Sequence, residues 1–443
     1  MPYSKEKRKF KIFTLGCKVN QWESAYFRTA LEDAGWEEAG EGEAYDVAII
    51  NTCIVTQRAS HQSRQALRKF IRDNPNALVV ATGCYAQAYP DELIKIEGLG
   101  AVVGNTLKPS LPSLLTREGE GRVLGCLVEQ FEGRSPLVPV EAFKFGERTR
   151  AYLKIQDGCE AHCSYCIVPK ARGPYRSLEV GHVLRMLAGL AEKGFREVVL
   201  TGIHLGKYGV DLHPQVGLVE LLRSIKRERL PIRIRLSSIE PGEIEDDLIE
   251  MVAGEPWLCR HLHIPLQSGD PAILKAMART YSPAQFRALM VKIRDHIPLA
   301  ALGVDVMVGF PGETEEAFRH TYDLIKDLPI SYLHVFPFSP RRDTPAARLA
   351  HRVPPEEVKR RASMLRELGR YKRKEFWQAC IGKEFETLVE GRPHGKGGMV
   401  RGITDNYISV CFPRPDARPG DLVRLTLKHD HVGWQNGDRC FHP

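Results

Sequence analysis

The 443-residue sequence predicts an α/β protein built from an N-terminal parallel α/β sheet, a central partial (β/α)6 barrel and a small C-terminal all-β barrel. Three observations predict it. Apolar strand-like segments alternate with helical stretches through the first hundred or so residues. The same alternation resumes at Ala151 and runs for six units, and beyond Cys380 it gives way to short strands separated by Gly, Pro and Asp turns.

The N-terminal part, residues 8–110, repeats one pattern three times. Phe10 to Leu15 leads to Cys17, Val47 to Ile50 to Cys53, and Leu78 to Ala81 to Cys84, each followed by a helical stretch. Alternating strands and helices imply parallel pairing with right-handed crossovers, so the carboxyl ends of the strands share one edge. Ligand sites in such sheets sit outside that edge, and three cysteines distant in the chain would meet there. They could form a second metal centre, or they could be small buried residues closing strand-to-helix turns.

Residues 111–148 read as a linker, with Pro112, Pro136 and Pro139 amid Gly119, Gly121, Gly125 and Gly133. The central part, 149–378, has strand candidates at Leu153 to Gln156, Val198 to Thr201, Ile232 to Ser237, Leu262 to Leu266, Val304 to Val308 and Leu333 to Phe336. Barrels of this kind carry their chemistry on loops that follow the strands. A long basic helix of about Pro355 to Cys380 trails it. The last part, 379–443, reads as a barrel of short strands, Glu384 to Val389, Gly398 to Arg401, Tyr407 to Phe412 and Leu422 to Leu427, an architecture that often binds oligonucleotides.

Composition is that of a soluble protein with a formal net charge of +8. No stretch approaches the roughly 18 apolar residues of a membrane helix, and the Lys/Arg-rich N-terminus lacks the apolar core of a signal peptide, so a cytoplasmic location is expected. Between Arg341 and Lys374 twelve Lys/Arg face four acids, which concentrates the charge on one segment. Arg360, Arg361, Arg370, Lys372, Arg373 and Lys374 could contact phosphates; the same run could equally be a solvated helix face. The terminal part is nearly balanced, with nine Lys/Arg against eight acids from Ile381 to Pro443, so RNA binding there would need a local patch or the neighbouring helix.

The most chemical stretch is Asp157-Gly158-Cys159-Glu160-Ala161-His162-Cys163-Ser164-Tyr165-Cys166, directly after the first barrel strand. Its CxxxCxxC spacing supplies three thiolates. A closed structural zinc site wants four ligands, whereas a four-iron four-sulfur cluster on three thiolates keeps one iron open for a small molecule. Zinc or incidental buried thiols are the competing readings. Cys126, Cys259, Cys380, Cys411 and Cys440 lack ligand spacing and read as structural, and His162 reads as a solvated loop residue.

The cysteine loop resembles that of radical S-adenosylmethionine enzymes. With the three N-terminal cysteines and the terminal barrel in order, nearly the whole chain resembles the radical S-adenosylmethionine methylthiotransferases. Thr14 to Gln21, Ile167 to Gly173 and His263 to Gly269 have the look of family signatures. Gly16-Cys17-Lys18-Val19-Asn20-Gln21 with Glu23-Ser24 is most like the members acting on threonylcarbamoyladenosine beside the anticodon of tRNA. The resemblance implies two 4Fe-4S clusters, on Cys17, Cys53 and Cys84 and on Cys159, Cys163 and Cys166. It further implies S-adenosylmethionine as methyl donor and radical source, a TRAM-like terminal barrel that grips the substrate, and an electron donor such as a flavodoxin or ferredoxin. Another tRNA adenosine or a ribosomal protein side chain is the alternative substrate; a non-catalytic RNA-binding iron-sulfur or zinc protein is the alternative class.

Candidate cofactor residues follow from the resemblance and from strand-end positions. Tyr165 could pack on the cluster or the adenine; Thr201 and Gly202 could approach the methionyl end; Ser237, Ser238 and Glu240 could reach a ribose hydroxyl; and Val306 with Gly309 could line the adenine pocket. Each is also an ordinary occupant of its place, as a core aromatic, a turn glycine or a polar strand end.

Overall fold

The computed structural model describes residues 7–116, 125–131, 133, 136–393 and 397–432. Cys440, Gly119 and Gly121 lie outside the described residues.

The N-terminal sheet has six strands in the order Glu37–Glu38, Lys9–Thr14, Val47–Thr52, Leu78–Gly83, Ala101–Val103, Gly125–Leu127, all paired in parallel. Val47–Thr52 and most of Leu78–Gly83 are buried on both faces, which is why they read as unbroken apolar runs. Register places Thr14 beside Asn51 and Thr52 beside Gly83, so the three middle strands end level with one another. The stretch expected to be irregular contains the helix Leu111–Thr116 and the edge strand Gly125–Leu127. That strand is three residues long and opens on a glycine, so it carries no periodicity to read.

The central part is six parallel strands in two hydrogen-bonded triplets. Arg150–Lys154, Glu197–Thr201 and Arg233–Leu236 form one; His261–His263, Ala301–Val308 and Tyr332–Pro337 form the other. Single bridges, Ile234 to Leu258 and Ser238 to His263, carry the sheet from one triplet to the next. The first strand begins three residues earlier than the apolar run suggests. Gln156–Asp157 instead pairs antiparallel with Arg176–Ser177, closing the base of the cysteine loop. Helices flank the strands and enclose one large apolar core, which Trp22 and Ala25 of the N-terminal helix Lys18–Asp33 join.

The helix Pro355–Cys380 packs along Tyr332–Pro337 and leads into a four-stranded antiparallel sheet, ordered Ser409–Pro413, Met399–Thr404, Glu384–Val389, Leu422–Thr426. Arg233 and Arg235 tie this sheet to the central part. Both are ion-paired to buried Glu197, and both donate to backbone carbonyls of the terminal sheet and its turn, at Glu386, Ile403, Thr404 and Asp405. Among the described residues no helix is long and apolar enough to cross a membrane.

Candidate functional site

Each N-terminal cysteine sits where its strand stops. Cys17 occupies the N-cap of Lys18–Asp33, Cys53 follows Thr52, and Cys84 opens the short helix Cys84–Ala88. Level strand ends therefore bring the three thiols together. Cys17 and Cys53 both interact electrostatically with Cys84, and Gly16 lies so close to Cys53 that a Cβ there would be 3.0 Å from its Sγ. Gly83 makes the turn possible: its φ is +99°, and a Cβ would fall 2.5 Å from the Thr52 carbonyl oxygen.

The second thiol set stands on the loop between the paired segments Gln156–Asp157 and Arg176–Ser177. The Cys159 amide donates to Gly173 at 2.9 Å, Cys166 to Cys163 at 3.0 Å and Ser164 to Met277 at 3.0 Å, so the loop is folded back on itself and pinned to the barrel. Burial, with Cys163 and Cys159 beside it, pushes the Cys166 thiol up to about 12, and burial with Cys84 does the same to Cys53. No described cysteine is in a disulfide.

Cationic side chains surround the sulfurs, and spacing in the sequence does not reveal them. Arg279 donates from Nη1 to Cys163 Sγ at 3.3 Å and is ion-paired to Glu240. His204 Nδ1 lies 3.3 Å from Cys159 Sγ, and its Nε2 is 2.7 Å from Glu243. Burial opposes a charge there, but the Cys159 sulfur and Glu243 outweigh it and raise His204 to about 9. Arg172, fully buried, comes from the helix Val168–Arg172 that follows the cysteine loop, inside the stretch Ile167 to Gly173 singled out above. Its Nε donates to Cys84 Sγ at 3.2 Å, its Nη1 to Glu23 at 2.5 Å and its Nη2 to Asn20 at 2.6 Å. Lys108 and Lys154 complete the pairing of Glu23, at 2.5 and 3.3 Å.

All six cysteines line one cavity of about 2760 Å³ between the N-terminal sheet, the barrel strand ends, the basic helix and the terminal sheet. Tyr165, Thr201, Gly202, Ser237, Ser238 and Glu240 also line it. Val306 and Gly309 do not. Side chains alternate along Ala301–Val308, so Ala301 and Asp305 face the cavity while Val304, Val306 and Val308 enter the core, and Gly309 backs onto Val358. The basic helix divides similarly. Arg361 is buried against Glu313 at 2.6 Å, Lys372 is buried with its ammonium on the Lys326 carbonyl at 2.9 Å, and Arg360 pairs with Glu315 and Glu357. Arg370 is exposed, and Arg373 and Lys374 line the cavity.

Residues 153–325 match the family model described as Radical SAM superfamily, and residues 9–104 match Uncharacterized protein family UPF0004. Among curated proteins the chain is 38% identical over 398 residues to the threonylcarbamoyladenosine tRNA methylthiotransferase MtaB of Aquifex aeolicus, covering 90% of this chain and 95% of that one. The Bacillus subtilis protein of that name is 37% identical, covering 94% and 92%. The ribosomal protein uS12 methylthiotransferase RimO of Desulforudis audaxviator is 35% identical, covering 96% of each. Among solved structures, the radical S-adenosylmethionine methyltransferase TsrM of Kitasatospora setae has a TM-score of 0.56 at 19% identity, covering 77% of this chain and 75% of that chain, a likeness of fold.

Proposed function

The chain belongs to the radical S-adenosylmethionine methylthiotransferases, and from that membership we propose that it inserts a methylthio group into threonylcarbamoyladenosine beside the anticodon of tRNA. The observation that carries the reading is the pairing of two three-cysteine sets on one cavity in a chain 35 to 38% identical, over about 90% of its length, to relatives with that named substrate.

Cys159, Cys163 and Cys166 would hold the radical cluster, and Cys17, Cys53 and Cys84 the auxiliary one; three sulfur donors with cationic side chains at their backs suit a sulfide-rich anionic cluster. When bound, the clusters supply an electron for cleaving S-adenosylmethionine and an open iron at which sulfur can be held. Arg279, His204 and Arg172 orient the thiolates and offset their charge. Thr201, Gly202, Ser237, Ser238 and Glu240, at the ends of neighbouring strands, would hold the cofactor. The exposed Arg370, with Lys374 at the cavity wall, would meet the RNA backbone, and the terminal sheet would serve as the TRAM-like element. A flavodoxin or ferredoxin would be the reductant, in the cytoplasm.

Anaerobically reconstituted protein should carry about eight irons per chain and cleave S-adenosylmethionine on reduction. The triple change Cys159→Ala, Cys163→Ala and Cys166→Ala should leave about four irons and no cleavage. In cells lacking the gene, nucleoside mass analysis of tRNA should show threonylcarbamoyladenosine without its methylthio form. Persistence of the methylthio nucleoside would overturn the substrate, and a missing modification on ribosomal protein uS12 would assign the protein substrate instead.

A further inference from the structure

The last barrel strand, Tyr332–Pro337, alternates aromatic and aliphatic residues. Leu333 and Val335 pack on the barrel core, while Tyr332, His334 and Phe336 share the opposite face and line the cavity. Register sets these three rings beside Gly303, Asp305 and Met307 of the neighbouring strand. Gly303 leaves room for the innermost ring, since a Cβ there would lie 2.1 Å from Tyr332. The Tyr332 hydroxyl meets His261 Nε2 at 2.7 Å and His263 Nδ1 at 3.1 Å, which fixes that ring. His334 is held in turn, with its Nδ1 3.2 Å from the Asp305 carboxylate. The rings follow one another along the strand at 5.3 and 6.3 Å.

Phe336, at the outer end, is open. Of the phenylalanine, tyrosine and tryptophan residues that line the cavity it alone is exposed, at 44%. Among the described residues, His334 is its one ring neighbour, at an interplanar angle of 74°, and no cation lies over it. A large apolar ring left to water on the wall of a cavity marks a contact surface. Two sets of neighbours indicate what it meets. Met307, opposite Phe336 in the register, packs against the same apolar cluster as Tyr165 of the cysteine loop, which brings the free ring to the neighbourhood of that loop. Arg366, Arg373 and Lys374, spaced for one face of the basic helix that packs along this strand, line the same cavity. Cations beside an open aromatic ring suit single-stranded nucleic acid, the cations taking phosphates and the ring taking a base.

We propose that Phe336, buttressed by His334, is a stacking platform for an unpaired RNA base next to the adenosine that is modified. This rests on the tRNA reading and deepens it. Bases of a hairpin loop splay out to stack on aromatic side chains, and every base has a π face, so the platform grips the loop without reading its sequence. Phe336 is thus a positioning residue for the substrate and takes no part in the chemistry.

The test titrates the reconstituted full chain with an anticodon stem-loop RNA that carries threonylcarbamoyladenosine and, on one side of it or the other, 2-aminopurine. The wild type should quench the 2-aminopurine fluorescence at one of the two positions. Phe336→Ala should lose that quenching and bind about tenfold or more weakly, whereas Phe336→Tyr and Phe336→Trp keep the affinity within about threefold. Stacking releases no counterions, so the slope of log affinity against log salt should be unchanged in Phe336→Ala and lowered by about one in Arg366→Gln. Iron content and unfolding temperature report intactness, which substitution of an exposed ring should preserve. Three results overturn the platform and leave the substrate reading standing: no quenching by the wild type at either position, binding by Phe336→Ala equal to wild type, or equal losses in the alanine and aromatic variants. Wild type that binds neither this RNA nor the whole modified tRNA overturns both.

Discussion

Arg172 donates from Nε to the Sγ of Cys84 at 3.2 Å, although the two residues belong to different parts of the chain, 88 positions apart. The arginine that follows the Cys159–Cys166 loop thus serves the other thiol set, and its remaining donors hold Glu23 and Asn20 of the helix capped by Cys17, with Asp157 at 3.3 Å. Arg172→Met would leave Glu23 buried with two lysines and Cys84 without its donor. Breaking a buried, hydrogen-bonded pair costs about 3 kcal/mol. The variant should unfold at a lower temperature by calorimetry. It should also alter the spectroscopic signature of the auxiliary cluster, whose Cys84 loses a direct donor, more than that of the radical one, which a purely structural role would not do.

Glu197 gives a pH dependence. Burial would raise its carboxyl, but Arg235 and Arg233 outweigh burial and hold it down to about 2. A carboxylate whose folded pKa is depressed contributes stability above its unfolded pKa, about 4.3, and loses it as pH falls toward the folded value. Wild-type unfolding temperature should therefore drop between about pH 4.5 and 2 more steeply than that of Glu197→Gln. At pH 7 Glu197→Gln should be destabilised by about 3 kcal/mol, with the terminal sheet loosening first because Arg233 and Arg235 also hold its carbonyls. Scanning calorimetry over pH and hydrogen exchange check both.

Two glycines separate the thiol sets. Gly83→Ala would drive a methyl into the Thr52 carbonyl beside Cys84, and Gly158→Ala would place one 1.7 Å from the Pro174 carbonyl beside Cys159. Each variant should lose about half of the roughly eight irons, Gly83→Ala the auxiliary half and Gly158→Ala the radical half. Only Gly158→Ala should abolish cleavage of S-adenosylmethionine. Iron analysis with a cleavage assay distinguishes them.

The basic helix should respond by position. Arg370 is exposed, so Arg370→Gln should weaken tRNA binding, lower the slope of log affinity against log salt by about one, and leave the unfolding temperature alone. Arg361 is buried on Glu313, so Arg361→Gln should lower the unfolding temperature by several degrees.

Much of this was legible in residue order because parallel strands announce themselves as apolar runs and because thiols at strand ends inherit the level of the strands. Cys17, Cys53 and Cys84 could be brought together on paper from strand counting alone. Arg172, Arg279 and His204 could not, since each reaches its sulfur across at least 45 residues and no local pattern marks which arginine turns inward. Val306 and Gly309 illustrate a different limit: the strand was found, but the pleat decides which side chains see the cavity. In the basic helix, counting charges overlooked the acids of other segments, and Glu313 and Glu315 hold Arg361 and Arg360 in place.

The two thiol sets differ in when they come into being. Cys159, Cys163 and Cys166 lie within eight residues, so an unfolded chain already presents them together, whereas Cys17, Cys53 and Cys84 become neighbours only after three strands have aligned. On the ribosome the first 53 residues bring out two of these sulfurs and no binding place. If these thiols hold iron as proposed, metallation there would be a late checkpoint on correct tertiary structure, which a chain that has acquired the metal has passed.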